Sequence, residues 1–347
     1  MKVVTGVGGD LKRVPEQARR AEELGYDAVT TGETQHDSIL VMTLAAEHTQ
    51  RVEVCSSVTI AFPRSPMVLA MEAWDLQRFT GGRINLGLGS QVKGHIQRRF
   101  SAQWSAPAPR MRDYINAMRA IWEAWQTGGK LNFVSESYTH MLMTPNFNPG
   151  PLDVPKPKIS LSAVNPVMAT VAGEIADGLL PHGFATTKYL TEVVIPAVRK
   201  GAQKVGRSLN EIEISAGGMM VIGENEADIE RQLDRLRQPI SFYGSTRTYH
   251  GVFRAHSREE LGMQLHELSL KGQWDEMRRI IPEEVLHEFA VKATYDTLPE
   301  VLRKERWYAS RVSLGLPSET PAQRERLRWL IDEIHKIPAP NWDAVPA

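Results

Sequence analysis

Apolar and polar positions in the first part of the chain switch repeatedly between a period of two and a period near 3.6. KVVTGVG carries the short β-rich pattern of a strand, and VPEQARRAEELG follows with Ala18, Ala21 and Leu24 on one helical face and Gly25 as a stop. YDAVTTG reads as a second strand, and SILVMTLAAEHT as a helix that Asp37 or Ser38 can cap. VEVCSSVTIAF, SPMVLAMEAWDLQRFTGG and RINLGLGS continue the series as strand, helix and strand. Strands alternating with helices at this tempo predict parallel βαβ units.

PAPRMRDYINAMRAIWEAWQTGG then predicts a long helix with Met111, Ile115, Met118 and Trp122 along one stripe. Residues 130–157 turn rich in proline and asparagine and read as an insertion. The rhythm resumes with KISLSAV, VMATVAGEIA, DGLLPHG and TTKYLTEVVIPAVRKGAQKVG, and EIEISAGGMMVIG reads as one strand before the helix EADIERQLDRLRQPISFYG. Residues 240–295 read as a second insertion with short helices. RVSLGLP supplies an eighth strand, and a terminal helix is expected over 321–336. Eight strands, most followed by a helix, predict a single (β/α)₈ TIM barrel spanning 1–347, with a doubly wound open sheet as the alternative. Trp74, Trp122 and Trp125 fall at helical spacing and read as core.

Composition narrows the function classes. The 347 residues hold 41 Lys plus Arg against 41 Asp plus Glu, which gives no global field for nucleic acid or an anionic membrane. A lone cysteine, Cys55, excludes an intrachain disulfide and a cysteine-rich metal site, and points to a reducing cytoplasm. The N-terminus lacks the apolar core of a signal peptide, and no apolar run is long enough to span a bilayer. His48, His140, His250 and His335 have no partners at ligand spacing, so no metal site is expected. GLGSQVKG is not a GxGxxG fingerprint, and neither a GxxxxGK[ST] loop nor a GxSxG elbow occurs.

In a barrel of this class chemistry gathers at the carboxyl ends of the strands. Those positions hold Glu33 and His36 after strand two, and the Ser56-Ser57 pair and Arg64 after strand three. Gly89, Ser90, Gln91, Lys93 and His95 follow strand four, with Arg98 and Arg99 behind them. Val164 and Asn165 follow strand five, and His182 and Gly183 follow strand six. Histidine beside a carboxylate suits acid–base work, although a solvated loop pair or helix cap explains Glu33 and His36 equally well. Backbone amides after strand four, flanked by Lys93, His95 and Arg98, suit an anion; the plainer reading is a tight strand exit and a solvated basic face. Asn165-Pro166 opens a helix whose free amides hold either an anion or water.

Together Glu33, SSVTIAFPRSPMVLA, GGRINLGLGSQ and AGEIADGLLPH resemble, in order and spacing, the luciferase-like oxidoreductases, in particular the branch that uses the deazaflavin coenzyme F420. The resemblance implies a (β/α)₈ barrel with the coenzyme over its carboxyl end, a non-prolyl cis peptide at Ser57-Val58 behind the ring, and hydride transfer at the deazaflavin C5. It places Glu33 near the reactive edge, Gly89, Ser90 and Gln91 close to the ring, and Val164, Asn165, His182 and Gly183 toward the coenzyme's phosphate and side chain. Glu33 and His36 are the candidates for proton handling; Lys93 and His95, with Arg64, Arg98 and Arg99, are candidates for an anionic tail or a substrate. Sugar-phosphate dehydrogenases of that branch carry an acid where this chain has Val92 and a histidine where it has Thr34, so their substrate does not transfer. FMN in place of F420, in a luciferase-like monooxygenase, is the alternative, as is a coenzyme-binding barrel without turnover. A homodimer acting on a small molecule is expected.

Overall fold

Along the strands of this protein every second side chain faces outward and carries the apolar load, as the two-residue period of a strand requires. The computed structural model describes residues 1–344. Val3, Val29, Val54, Ile84, Leu86, Ile159, Leu161, Leu179, Ile214 and Val312 are all buried in one large cluster between the sheet and the surrounding helices. The alternate positions, which face inward, carry a different chemistry: Thr30, Cys55, Asn85, Ser160, Ser215, Arg311 and Ser313 line the barrel interior. Barrels of this kind usually fill that space with bulky branched aliphatics. Here the large apolar core lies outside the barrel, and small polar side chains share its interior with Val4, Ala28 and Leu180.

The strands are β1 (Lys2–Gly6), β2 (Ala28–Thr31), β3 (Glu53–Ser56), β4 (Ile84–Gly89), β5 (Lys158–Ala163), β6 (Gly178–Pro181), β7 (Glu213–Ile214) and β8 (Arg311–Ser313). From β1 to β7 each pairs in parallel with the next, and β8 pairs with β1. A parallel bridge between Ser215 and Arg311, with Ala216 N–H donating to the Arg311 carbonyl at 2.8 Å, closes the ring. The (β/α)₈ barrel is therefore formed, and the open sheet is excluded. Among the described residues no helix is long and apolar enough to cross a membrane.

Helix Pro66–Thr80 starts at Ser65, whose hydroxyl accepts the Met67 N–H at 3.2 Å, and packs on helix Pro107–Thr127. Trp74 sits between Trp122 (6.4 Å between ring centres) and Trp125 (5.5 Å), and all three are buried. The 130–157 insertion forms a short antiparallel pair, Phe133–Val134 with Thr139–His140, and then lies along the outside of helix Pro66–Thr80. Trp74 Nε1 donates to the Gly150 carbonyl at 3.2 Å and Gln77 Nε2 to the Pro155 carbonyl at 2.6 Å, which fixes it there.

One predicted strand divides. EIEISAGGMMVIG pairs in the barrel only over Glu213–Ile214, while Met219–Gly223 leaves it and pairs in parallel with Ala290–Thr294. The break falls at Gly217-Gly218, where Gly218 has φ +88°, a conformation that disfavours any residue with a Cβ. The second insertion, otherwise helical, thus owns a small sheet of its own that no periodicity in 240–295 suggests. The terminal helix runs Pro321–His335, capped by Thr320.

Candidate active site

The floor of the barrel is ionic. Arg311 pairs with Glu53 at 2.9 Å and Glu213 at 2.7 Å, Lys2 with Glu213 at 2.6 Å, and Lys158 with Glu53 at 3.4 Å. All five are the first residues of their strands, so the register alone gathers them into one layer. Burial pushes the Glu53 carboxyl up, but Arg311, Lys2 and Lys158 outweigh it and hold the group below its ordinary range. Burial pushes the Cys55 thiol, just above, strongly upward.

Above this floor lies a chamber of about 230 Å³, lined by Thr30, Cys55, Asn85, Ser160, Ser215 and Ser313 among others, and rimmed by Ser57, Gly183 and Gly217. Two buried polar atoms on its wall have no partner among the described residues: Arg311 Nε and Ser215 Oγ. Leaving such a donor unsatisfied costs about 1–3 kcal/mol, more for a charged group. A shallower groove of about 550 Å³ runs over the carboxyl ends of β1 and β2, past Gly8, Gly9, Gln17, Thr34 and His36. Chamber and groove share Thr30 and Ser57, so they meet at the end of β3.

That junction is held by a relay of hydroxyls. Ser38 lies 2.8 Å from Thr59 Oγ1, which donates to Ser56 Oγ at 2.9 Å; Ser56 in turn donates to the Gly87 carbonyl at 2.9 Å and accepts the Gly87 N–H at 3.0 Å. The close approach needs a glycine: a Cβ at Gly87 would stand 1.9 Å from the Ser56 carbonyl oxygen. The Ser57-Val58 peptide is cis. Ser57 N–H donates to the Thr31 carbonyl at 2.7 Å, and Glu33 N–H to the Val58 carbonyl at 3.2 Å. Thr59–Ile60 then continues beside Leu88 and Gly89.

The sequence candidates separate once placed. Arg64 points at carboxylates, donating through Nη1 to Glu33 (2.9 Å) and through Nη2 to Glu33 and Asp37 (2.6 Å to Asp37), with the Ile60 carbonyl 3.0 Å from Nη1. Burial disfavours its charge, but Glu33 and Asp37 reverse that and raise its pKa. Ile60 N–H also donates to Glu33, at 2.6 Å. Glu33, expected near the reactive edge, and Arg64, expected at an anionic tail or substrate, are thus engaged with each other. His36 is exposed and lines the groove. Lys93 and His95 are exposed on the short helix Lys93–Arg98, Arg98 is exposed at its end, and Arg99 donates to the Thr34 carbonyl. Gln91 stands at φ 56° after Gly89 and Ser90. The Val164 carbonyl accepts the Tyr189 hydroxyl at 3.0 Å, and Asn165 opens helix Pro166–Ile175 without a side-chain cap.

His182 Nδ1 accepts the Phe184 N–H at 3.0 Å, and burial lowers its pKa, so the neutral ring carries its proton on Nε2. Two aromatics from the second insertion frame it: Tyr249 stacks at 4.9 Å and Tyr243 meets it edge-on at 4.7 Å. These tyrosines, with Arg311, Ser215 and Asn85, escaped the sequence reading. For Ser215 and Asn85 the signal was the run of small polar residues at every second position of the strands; Arg311 and the two helical tyrosines carried none. Of the histidines read as structural, His335 pairs with Asp27 at 2.8 Å and His48 Nδ1 lies 3.0 Å from the Leu44 carbonyl, while His140 Nε2 and His250 Nε2 are buried without partners among the described residues. Glu230, Glu283 and His287 bring possible ligand atoms within 4.8 Å on the exposed surface, an arrangement with metal-ligand chemistry that the sequence spacing does not reveal.

Residues 2–311 match the family model described as luciferase-like monooxygenase. The chain is 41% identical over 303 residues to an uncharacterized protein of Mycobacterium tuberculosis, covering 87% of this chain and 89% of that one. It is 30% identical over 210 residues to the F420-dependent glucose-6-phosphate dehydrogenase of Rhodococcus hoagii, covering 56% of this chain and 59% of the relative. Its fold superimposes with a TM-score of 0.73 on the coenzyme F420 dependent tetrahydromethanopterin reductase from Methanopyrus kandleri, at 20% identity and covering 96% and 98% of the two chains. A type II Baeyer-Villiger monooxygenase of Pseudomonas putida in complex with FMN shares the fold at TM-score 0.67 and 14% identity, covering 98% of this chain and 99% of that one.

Proposed function

Because this chain belongs to the luciferase-like monooxygenase family, we propose that it is a coenzyme F420-dependent oxidoreductase that moves a hydride between the deazaflavin and a small organic substrate. The observation that carries this reading is the donor-rich chamber opening beneath Ser57-Val58. The small side chains that line it, among them Ser56, Ser57, Ser160 and Gly183, leave room for the polar edge of a planar heterocycle. The identity with an F420-dependent dehydrogenase favours F420 over FMN.

When bound, the deazaflavin supplies two-electron hydride chemistry at C5. The chain's own part is to bind, orient and keep water out. The end of β3, fixed by the Ser56 relay, forms a rigid support, and backbone at Gly89, Ser90 and Gln91, at the end of β4, is the proposed contact with the ring. Gly183 on the rim and the nearby Val164-Asn165 turn receive the coenzyme's tail, with Lys93, His95 and Arg98, exposed on the short helix after β4, to meet it. His36, on the groove, handles the proton. Glu33 and Arg64 hold the loop that carries His36 rather than touching substrate. His182, Tyr243 and Tyr249 form the substrate-side wall.

Val92 and Thr34 stand where a sugar-phosphate enzyme would hold its acid and histidine, so a sugar phosphate is not the proposed substrate. We place the protein in the cytoplasm as a homodimer, which light scattering checks. The direct test of the cofactor is titration with F420 and with FMN: quenching of F420 fluorescence supports the reading, and tight FMN binding without it rejects the reading.

A further inference from the structure

The second insertion grips the barrel through one short segment just past β6. Tyr243 and Tyr249 pack on His182, and Phe184 meets Phe253 at 5.5 Å and Phe289 at 4.9 Å between ring centres. Two residues on, Thr186 Oγ1 lies 2.8 Å from His256 Nε2. Gly183, inside the same segment, lines the rim of the chamber. The rim and the insertion therefore share one anchor.

Of these contacts only the last joins a hydroxyl to a titratable ring. Thr186 Oγ1 also accepts the Tyr189 N–H at 3.1 Å. Across the imidazole, His256 Nδ1 stands 3.6 Å from Glu288 Oε2, a buried oxygen with no hydrogen bond among the described residues. The neutral tautomer that serves both neighbours carries its proton on Nδ1, facing the carboxylate, and accepts the Thr186 hydroxyl at Nε2. Thr186 is only 2% exposed, so no substrate reaches this hydroxyl, and the row of hydroxyl, imidazole and carboxylate is a tether rather than a nucleophile. Around the ring stand Glu288 from helix Glu283–Phe289, Arg258, which pairs with Glu288 at 2.8 Å, and Lys188 and Glu192 from the barrel side, with Phe289 beside it at 5.8 Å. Burial disfavours the imidazolium most; Glu288 and Glu192 oppose that, Lys188 and Arg258 add to it, and the balance holds the pKa below the ordinary 6.5. A second proton must go to Nε2, the atom that holds the Thr186 hydroxyl, so protonation and tethering exclude each other.

We propose that His256 is an acid-sensitive latch: when neutral it ties the Gly183 rim, through Thr186, to the second insertion, and when protonated at Nε2 it lets the insertion loosen from the segment after β6. Because the folded value lies below that of a free imidazole, the hold is complete above about pH 6.5 and is lost as pH falls through the folded value. The rim of the chamber then loses one of its supports on the insertion side.

The test needs no coenzyme, so its failure and that of the F420 reading are separate. Hydrogen exchange of the amides across 245–260 is compared between the full wild-type chain and His256→Asn at each pH from about 7.5 to about 5, which cancels the chemical pH dependence of exchange. His250, the other buried imidazole of the insertion, is present in both proteins and cancels too. Wild type is expected to exchange about fivefold more slowly at the neutral end, the worth of one hydrogen bond, and to converge on the variant at the acid end. Thr186→Val, which deletes the hydroxyl and keeps the imidazole, serves if His256→Asn folds poorly, and the same convergence is expected of it. A gap between wild type and variant that stays constant with pH overturns the latch and leaves a packing contact. The absence of any gap overturns it as well.

Discussion

Arg64 and Glu33 form a forked ion pair at the mouth of the barrel, with side chains only 15% and 8% exposed. The pair joins the loop after β2 to the exit of β3, and Asp37, the cap of helix Ser38–Glu47, completes it. Removing one partner leaves a buried charge without compensation, which typically costs about 3–5 kcal/mol. Arg64→Ala is therefore expected to lower unfolding stability by about that amount in denaturant titration. Arg64→Lys, which cannot fork, should lose less. Equal stability of wild type and Arg64→Ala contradicts the structural role.

Acid should loosen the barrel floor. The Glu53 carboxyl is held below its ordinary value of 4.5 by Arg311, Lys2 and Lys158 despite its burial. A group with a depressed folded pKa gives stability that is present above its unfolded value and lost as pH falls through the folded one. Melting temperature should thus hold steady down to about pH 4.5 and drop below it, and Glu53→Gln should flatten that drop. A profile that Glu53→Gln leaves unchanged argues against the network.

Cys55 should be inert in the native protein. Its thiol is buried and pushed upward in pKa, so little thiolate exists near neutrality. A thiol-reactive chromophore is expected to label it only after unfolding, with one equivalent per chain. Rapid native labelling would show the chamber to be wider or more mobile than described.

Gly87→Ala should damage the site without touching the apolar core. Its added methyl would stand 1.9 Å from the Ser56 carbonyl oxygen, forcing β3 away from β4 beside Ser57. Weakened F420 binding together with a lowered melting temperature is expected. Unchanged values for both would mean that the two strands part at little cost.

The barrel was legible because each strand announces itself twice, by its outward apolar residues and by the helix that follows. Where a strand stops was less legible: EIEISAGGMMVIG has an unbroken β pattern, and only the Gly217-Gly218 pair marks the point where the chain leaves the barrel. His36, Ser57 and Gly183 could be found by looking after strands two, three and six. Arg311 could not, since it begins its strand and owes its surroundings to Glu53 and Glu213, 258 residues away in the case of Glu53. Arg64 looked available to a ligand because its partner Glu33 lies 31 residues earlier, and pairing at that range is a property of the fold.

Which cofactor the barrel mouth and its chamber hold is measured directly by titration. Purified protein titrated against F420 and, separately, FMN should quench F420 fluorescence saturably and leave FMN free. Tight FMN binding with no effect on F420 would contradict the account.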